Sequence, residues 1–313
     1  MYTIEETEPA NFTEIRVMEE VISAYLILWI LGFICFLINI PLLFTFLISK
    51  KLRADSTLLI CLACGDIANC IGQSMMGFDR YTLFAWSLDT KRIPIETSLT
   101  CAEKTFIWFS CYSQFRLIGN IWPPMVQMIM GTERFVACML PIWYTKWFRD
   151  RTFYLSILSI VLVIILCAIA LLLAVVNESR GSVKFDCGRK ATFSEEYAQF
   201  VYFLNMLGYM VGLGLNILSY LRLNYILKND TVRDQLKRVR YYLAVGVLST
   251  VLVAIPNLKS LFGDQLRIAG LDEWISQAFN WASLVNSSIN ICVYLAFHRE
   301  FRQEFARLFG CEC

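Results

Sequence analysis

The residues able to do chemistry are few, and most sit in apolar company. Asp66 lies in Leu62-Ala63-Cys64-Gly65-Asp66, and Asn39, Arg116, Glu133, Arg134, Asn286, Ser287 and Asn290 also fall inside long apolar runs. Charged and amide groups are costly in lipid, so each marks a function or an interhelical hydrogen bond. A lone carboxylate such as Asp66 needs a cation, a proton or several donors. Asn286, Ser287 and Asn290 recur at three- and four-residue spacing and so share one helix face. The expectation is a buried polar cluster of Asp66 with Asn39, Asn286, Ser287 and Asn290. It acts either as a site for Na⁺ or a proton, or as hydrogen-bond glue between helices. Catalysis is poorly served. The chain has one histidine, His298, and twelve cysteines with no paired Cys-x-x-Cys array. Asp66 is the only carboxylate deep in a run, with no dyad and no nucleophile–base pair. Neither an enzyme nor a metal or cofactor is expected.

These residues need elements to hold them, and composition says which kind. Of 313 residues, 57% are apolar and 17% charged, where a soluble domain has about 45–50% and about 25%. A net charge of +2 with no basic block argues against nucleic acid. The surplus of apolar surface belongs in a membrane, at about 20 residues per spanning helix. Seven such segments can be placed, near Val21–Ser49, Ser56–Phe78, Phe106–Leu140, Phe153–Val176, Tyr197–Leu227, Tyr241–Phe262 and Trp274–Phe297. Arg116, Asn120 and Pro123–Pro124 interrupt the third. Omitting it would leave a connection of improbable length. The fold class is an all-α membrane protein, a seven-transmembrane helix bundle. Residues 1–20 form an extracellular N-terminus, 21–297 the bundle, and 298–313 a cytoplasmic amphipathic helix and tail.

Orientation follows from charge. Glu19–Glu20 precede the first span, and Lys50, Lys51 and Arg53 follow it. The basic side stays cytoplasmic, which puts the N-terminus outside and, after seven spans, the C-terminus inside. The sequons at Asn11 and Asn177 then face outward and are candidate glycosylation sites. The outer loops are oxidising territory, so Cys187 is expected to pair with Cys111 or Cys101. Cys311 and Cys313 follow a basic amphipathic stretch and are candidates for palmitoylation.

Four motifs in order give a resemblance. Gly131-Thr-Glu133-Arg134-Phe135, with Pro141 and Tyr144 after it, resembles the third-helix signature of rhodopsin-like G-protein-coupled receptors. Asn286-Ser-Ser-Ile-Asn290-Ile291-Cys-Val-Tyr294 is similar to the seventh-helix signature, with Ile291 replacing proline. Leu62-Ala63-x-x-Asp66 and Asn39 match the second- and first-helix patterns, and residues 297–309 the amphipathic helix on the inner face. The stretch from Glu133 to Tyr144 is similar to nematode serpentine chemoreceptors. Departures are visible too. The fourth span lacks a tryptophan, the fifth lacks proline, and the sixth has Ala254-Ile255-Pro256 where a tryptophan toggle belongs. Leu236 and its surroundings show no clear acid to lock Arg134 from the sixth helix.

The resemblance implies a plasma-membrane receptor that binds an extracellular ligand and activates a heterotrimeric G protein. Glu133, Arg134, Pro256 and Tyr294 would form its activation switch, with Glu133 neutralising Arg134 at rest. Arg116 stands eighteen residues before Arg134, about 27 Å up the helix, at a level that faces ligand in the resembled family. A cation there suits an anionic small molecule or a peptide, or else pairs with an internal acid. Asn257, Gln277, Asn280 and Trp281 lie at similar depth and could complete a pocket. The alternatives are a receptor-like protein without coupling, or a small transporter. A transporter should show inverted repeats or paired broken helices, and no such symmetry is visible.

Overall fold

In the computed structural model the first apolar run is only part of a longer rod. The structure describes residues 7–103, 112–148, 151–178, 182–183, 185, 187–226, 230–262 and 272–310. Helix α1, Phe12–Ile48, begins nine residues before the apolar stretch does. Its start is set by Asn11, whose Oδ1 accepts from the Glu14 N–H at 2.9 Å, while the Glu14 carboxylate accepts from the Asn11 N–H at 2.9 Å. This reciprocal cap satisfies donors that would otherwise be orphaned. At 37 residues the helix is about 55 Å long, well over the ~30 Å hydrocarbon core.

Short α2 (Lys50–Asp55) turns the chain into α3, Thr57–Thr90. This second span runs twelve residues past its expected end at Phe78 and stops at Lys91, which caps it at φ 56°. Beyond α4 (Ser98–Glu103), the third span α5 runs from Tyr112 to Met139. Its two prolines do not break it; Pro123 packs at Gly65 of α3, where no side chain stands in the way. A short helix α6 (Pro141–Trp143) and a π turn (Tyr144–Phe148) follow. The fourth span is α7, Thr152–Asn177. After α8 (Arg189–Thr192) comes the fifth span α9, Glu195–Ile226.

The sixth rod is compound. Helix α10 (Asp230–Ser249) passes through a π turn at Thr250–Ala254 into α11, Ile255–Phe262. The π turn sits just ahead of Pro256, whose missing N–H breaks the regular ladder; the widened turn absorbs the fault. The seventh span is α12, Asp272–Phe297. Last comes amphipathic α13, Arg299–Phe309, capped by His298, whose Nδ1 accepts from the Phe301 N–H at 3.2 Å.

Among the described residues, seven long helical rods thus form an all-α bundle. Five of them are long and apolar enough to cross a membrane by length and composition. The other two, α5 and α12, carry Arg116, Asn120, Gln127, Glu133 and Arg134, and Asn280, Asn286 and Asn290. The outer faces of α1 and α7 expose Ile30, Phe33, Leu37, Ile157, Ile164 and Leu172. Contiguous apolar surface of this kind is stable against lipid rather than water.

One end of the bundle is closed by two antiparallel ribbons. Strand β1 (Thr7–Pro9) pairs with β2 (Arg92–Pro94), and β3 (Glu96–Thr97) pairs with β4 (Ser182–Val183). A disulfide joins Cys101 on α4 to Cys187 just before α8. Of the two partners left open for Cys187, Cys101 takes it; Cys111 lies outside the described residues. The opposite end carries α13, with Lys51 Nζ 2.8 Å from Glu300. There Phe301 is fully buried against Phe46 and Tyr294.

Candidate ligand cavity and switch

At the disulfide end the helices part around a polar cavity of about 180 Å³. Arg116, Asn257, Gln277 and Asn280, read from depth alone, all line it, as does Pro256. Trp281 does not. It packs against the cluster of Tyr25, Leu28 and Met76 between α1 and α3, so it supports the wall from behind. Arg116 is placed by a close crossing of two helices. Gly72 on α3 meets the Arg116 backbone, and Gly119 on α5 meets the Asn69 backbone; a Cβ at either would clash. Removing both side chains lets the backbones touch and brings Arg116 to the cavity that Gln73 also lines.

Two further arginines share this cavity, and both were missed. Arg80 is 7% exposed, donates from Nη1 to the Tyr25 hydroxyl at 2.8 Å, and lies 5.3 Å from that ring's centroid. Arg189 donates from Nη2 to Asn120 Oδ1 at 3.4 Å and stands 5.0 Å from the Tyr202 ring centroid. Asn120 in turn donates to the Arg116 carbonyl at 2.6 Å. A signal for Arg80 was present. Asp66, Gln73 and Arg80 repeat every seven residues and so share one face of α3, with Asn69 beside them. That stripe became visible only once the helix continued past Phe78. Arg189 is positioned by its neighbour disulfide and carries no local signal.

Below the cavity the stripe makes contact with α12. Asn69 Nδ2 donates to Ser287 Oγ at 2.9 Å and to Ser283 Oγ at 3.2 Å. Asn290 Nδ2 donates to Asp66 Oδ2 at 2.8 Å, and the Ser287 hydroxyl bonds the same carboxylate. Asp66 is 1% exposed. Of the five residues expected to cluster, Asp66, Ser287 and Asn290 are joined directly. Asn39 instead donates to the Cys35 carbonyl at 2.9 Å and to Cys70 Sγ at 3.7 Å. Asn286 is buried with its Oδ1 unpaired. The partners described around Asp66 are one amide and one hydroxyl.

The other end holds the Glu133–Arg134 pair, and here the structure departs from expectation. Arg134 Nη2 donates to the Tyr242 hydroxyl at 2.7 Å, with its guanidinium carbon 4.4 Å from that ring's centroid. Glu133 acts on Arg134 only through space; its Oε1 accepts from the Tyr144 hydroxyl at 3.0 Å. Each charge is therefore held by a tyrosine, and the sixth-helix partner of Arg134 is a phenol. Tyr294 is packed among Phe46, Tyr241 and Phe301, with ring centroids 5.0–5.5 Å away. Tyr241 meets Tyr242 edge-to-face at 4.7 Å, which links the Arg134 latch to α12 and α13.

Of the sequons, Asn11 is exposed as the first helix cap. Asn177 is 7% exposed and its Nδ2, the atom a glycan would join, donates to the Phe193 carbonyl. Cys311 and Cys313 lie outside the described residues.

A bundle of seven spans with a polar cavity at one end and an arginine latch at the other is the architecture of a seven-helix receptor. Residues 30–309 match the family of serpentine type 7TM GPCR chemoreceptors, Srsx. The chain belongs to that family, and it is a multi-pass membrane receptor rather than an enzyme. No curated protein matches it.

Proposed function

We propose that the chain is a plasma-membrane chemoreceptor whose disulfide end faces outward and whose α13 end faces the cytosol. Its N-terminus is extracellular, and residues 298–313 lie on the inner leaflet. The basic flank Lys50, Lys51 and Arg53 supports that orientation, as does the Cys101–Cys187 disulfide, which belongs in an oxidising compartment. An extracellular ligand with an anionic group enters the polar cavity and contacts Arg116, Asn257, Gln277 and Asn280. The signal passes along the polar stripe of α3, through Asn69 and Asp66 to Ser287 and Asn290 of α12. At the cytosolic end Arg134 leaves Tyr242, the sixth rod swings on the π turn at Pro256, and a cleft opens for a heterotrimeric G protein. Tyr294 then leaves its aromatic packing to fill the space between α10 and α12.

The observation that carries this reading is the Arg134–Tyr242 contact. A half-buried guanidinium held by one neutral hydroxyl and a ring is a latch weak enough for a ligand to release, since a few kcal/mol separates two such states. The test is a ligand screen on the expressed receptor with G-protein activation as readout. Arg134→Ala is expected to abolish activation with surface expression intact. Unchanged activation in that variant would overturn the switch.

A further inference from the structure

We propose that Cys35 and Cys70 form an oxidative modification site: a hydroperoxide joins them into a disulfide that ties α1 to α3. The two helices run antiparallel in close contact. Gly77 of α3 meets the Trp29 backbone, and Gly32 of α1 meets Ser74; a Cβ on Gly32 would stand 2.8 Å from the Ser74 Cβ. Cys35 and Cys70 come opposite each other one turn further along. Their thiols hydrogen-bond one another, and both reach the Ser288 hydroxyl of α12. Asn39 Nδ2 donates to Cys70 Sγ at 3.7 Å and steadies that sulfur. A disulfide needs Cβ atoms about 4 Å apart on closely spaced backbones. The tight crossing at Gly32 and the touching thiols meet that need without moving either helix far.

Both thiols are buried, at 3% and 0% exposure, so bulky or charged reagents are kept from them. Hydrogen peroxide is neutral, little larger than water, and crosses lipid. One thiol attacks it: the O–O bond breaks, an S–OH bond forms, and water leaves with the thiol proton. The second thiol then attacks the sulfenic sulfur. The S–S bond forms, the S–OH bond breaks, and the hydroxyl departs as water with the second thiol's proton. Two thiols thus give up two electrons, and one peroxide is reduced to two waters. A dithiol reductant reverses the bond by exchange. Asp66 stands one turn before Cys70 on α3. A bond at Cys70 therefore restrains the turn from which α3 reaches Ser287 and Asn290. That consequence rests on the proposed relay through α3; the bond itself does not.

The purified full-length receptor in lipid nanodiscs is treated with hydrogen peroxide, quenched with catalase, denatured, alkylated and digested. Oxidation of Met210, exposed on α9, reports that peroxide reached the bundle. At that dose mass spectrometry is expected to find the Cys35–Cys70 linked peptide, about tenfold or more above any other pairing of the free cysteines. Dithiothreitol added before denaturation should remove it. Cys35→Ala and Cys70→Ala should each abolish it, and the wild-type digest stands by itself if either fails to fold. Recovery of Cys35 and Cys70 as alkylated thiols, as sulfinic or sulfonic acids, or in bonds to other cysteines would overturn the pair. The restraint on signalling is judged separately. A ligand from the activation screen should lose about tenfold in potency after peroxide and regain it with dithiothreitol, in wild type but not in Cys70→Ala. Unchanged potency beside a linked peptide would overturn that restraint. Absence of any activating ligand would count against the receptor reading, and the digest would still decide the pair.

Discussion

Tyr242 has no charge to offer, yet it is the sixth-rod residue that accepts a hydrogen bond from Arg134. A carboxylate would form a charge pair in a low-dielectric setting, and breaking it would be expensive. A phenol gives one charge-assisted hydrogen bond, about 1.5–3 kcal/mol, plus a cation–π contribution. Tyr242→Phe keeps the ring and removes the bond. Basal nucleotide exchange on the G protein should rise by about tenfold in that variant, measured in membranes without ligand; a basal rate equal to wild type would refute the latch. At the other buried charge, Asp66→Asn retains the bond with Asn290 in kind but removes the negative charge. Any dependence of agonist affinity on Na⁺ in the wild type should vanish in Asp66→Asn, read by competition binding with Na⁺ exchanged for a bulky organic cation. Residue types found these positions only in part. Asp66, Arg116, Glu133 and Arg134 stand out because ions are rare in apolar runs. Tyr242 does not, because a tyrosine among aromatic neighbours reads as packing.

The elements differ from their sequence outline chiefly at their ends. The span count holds because hydropathy is summed over twenty residues at a time, and a few polar residues do not erase it. Ends are decided by single contacts instead. The Asn11–Glu14 cap extends α1, and the left-handed Lys91 stops α3. That extension of α3 is what carries Arg80 into the cavity, so an end error of twelve residues concealed a site residue. At the opposite end, α13 docks through one face. Phe301 is fully buried whereas Phe309 is 43% exposed. Phe301→Ala should cost about 3–5 kcal/mol and lower the melting temperature of the purified receptor; Phe309→Ala should leave it nearly unchanged. Equal effects of the two would show that α13 is held by the membrane rather than by the bundle.

For the molecule as a whole, the disulfide is the longest-range covalent constraint among the described residues, spanning 86 positions from α4 to the residues just before α8, which Arg189 opens. No local pattern could have fixed its partner, because Cys101 and Cys111 flank the start of the third span alike. Cys101→Ser should cost about 2–5 kcal/mol and reduce surface delivery, with Cys111→Ser close to wild type. The opposite ranking, read by surface labelling, would move the bond. A tag on the N-terminus should be labelled on intact cells and one on the C-terminus only after permeabilisation; reversal would invert the receptor in the membrane.

The cavity's crowd of guanidiniums also has a kinetic side. Positive charge enclosed by low-dielectric walls focuses the field outward, so an anion is drawn in before it touches any wall. Salt thins that field over about 10 Å at 0.1 M. On the proposed reading, association of an anionic ligand should slow as ionic strength rises, while its departure, governed by close contacts, hardly changes. A receptor that took an anion this way would read the saltiness of its surroundings into the threshold at which it responds.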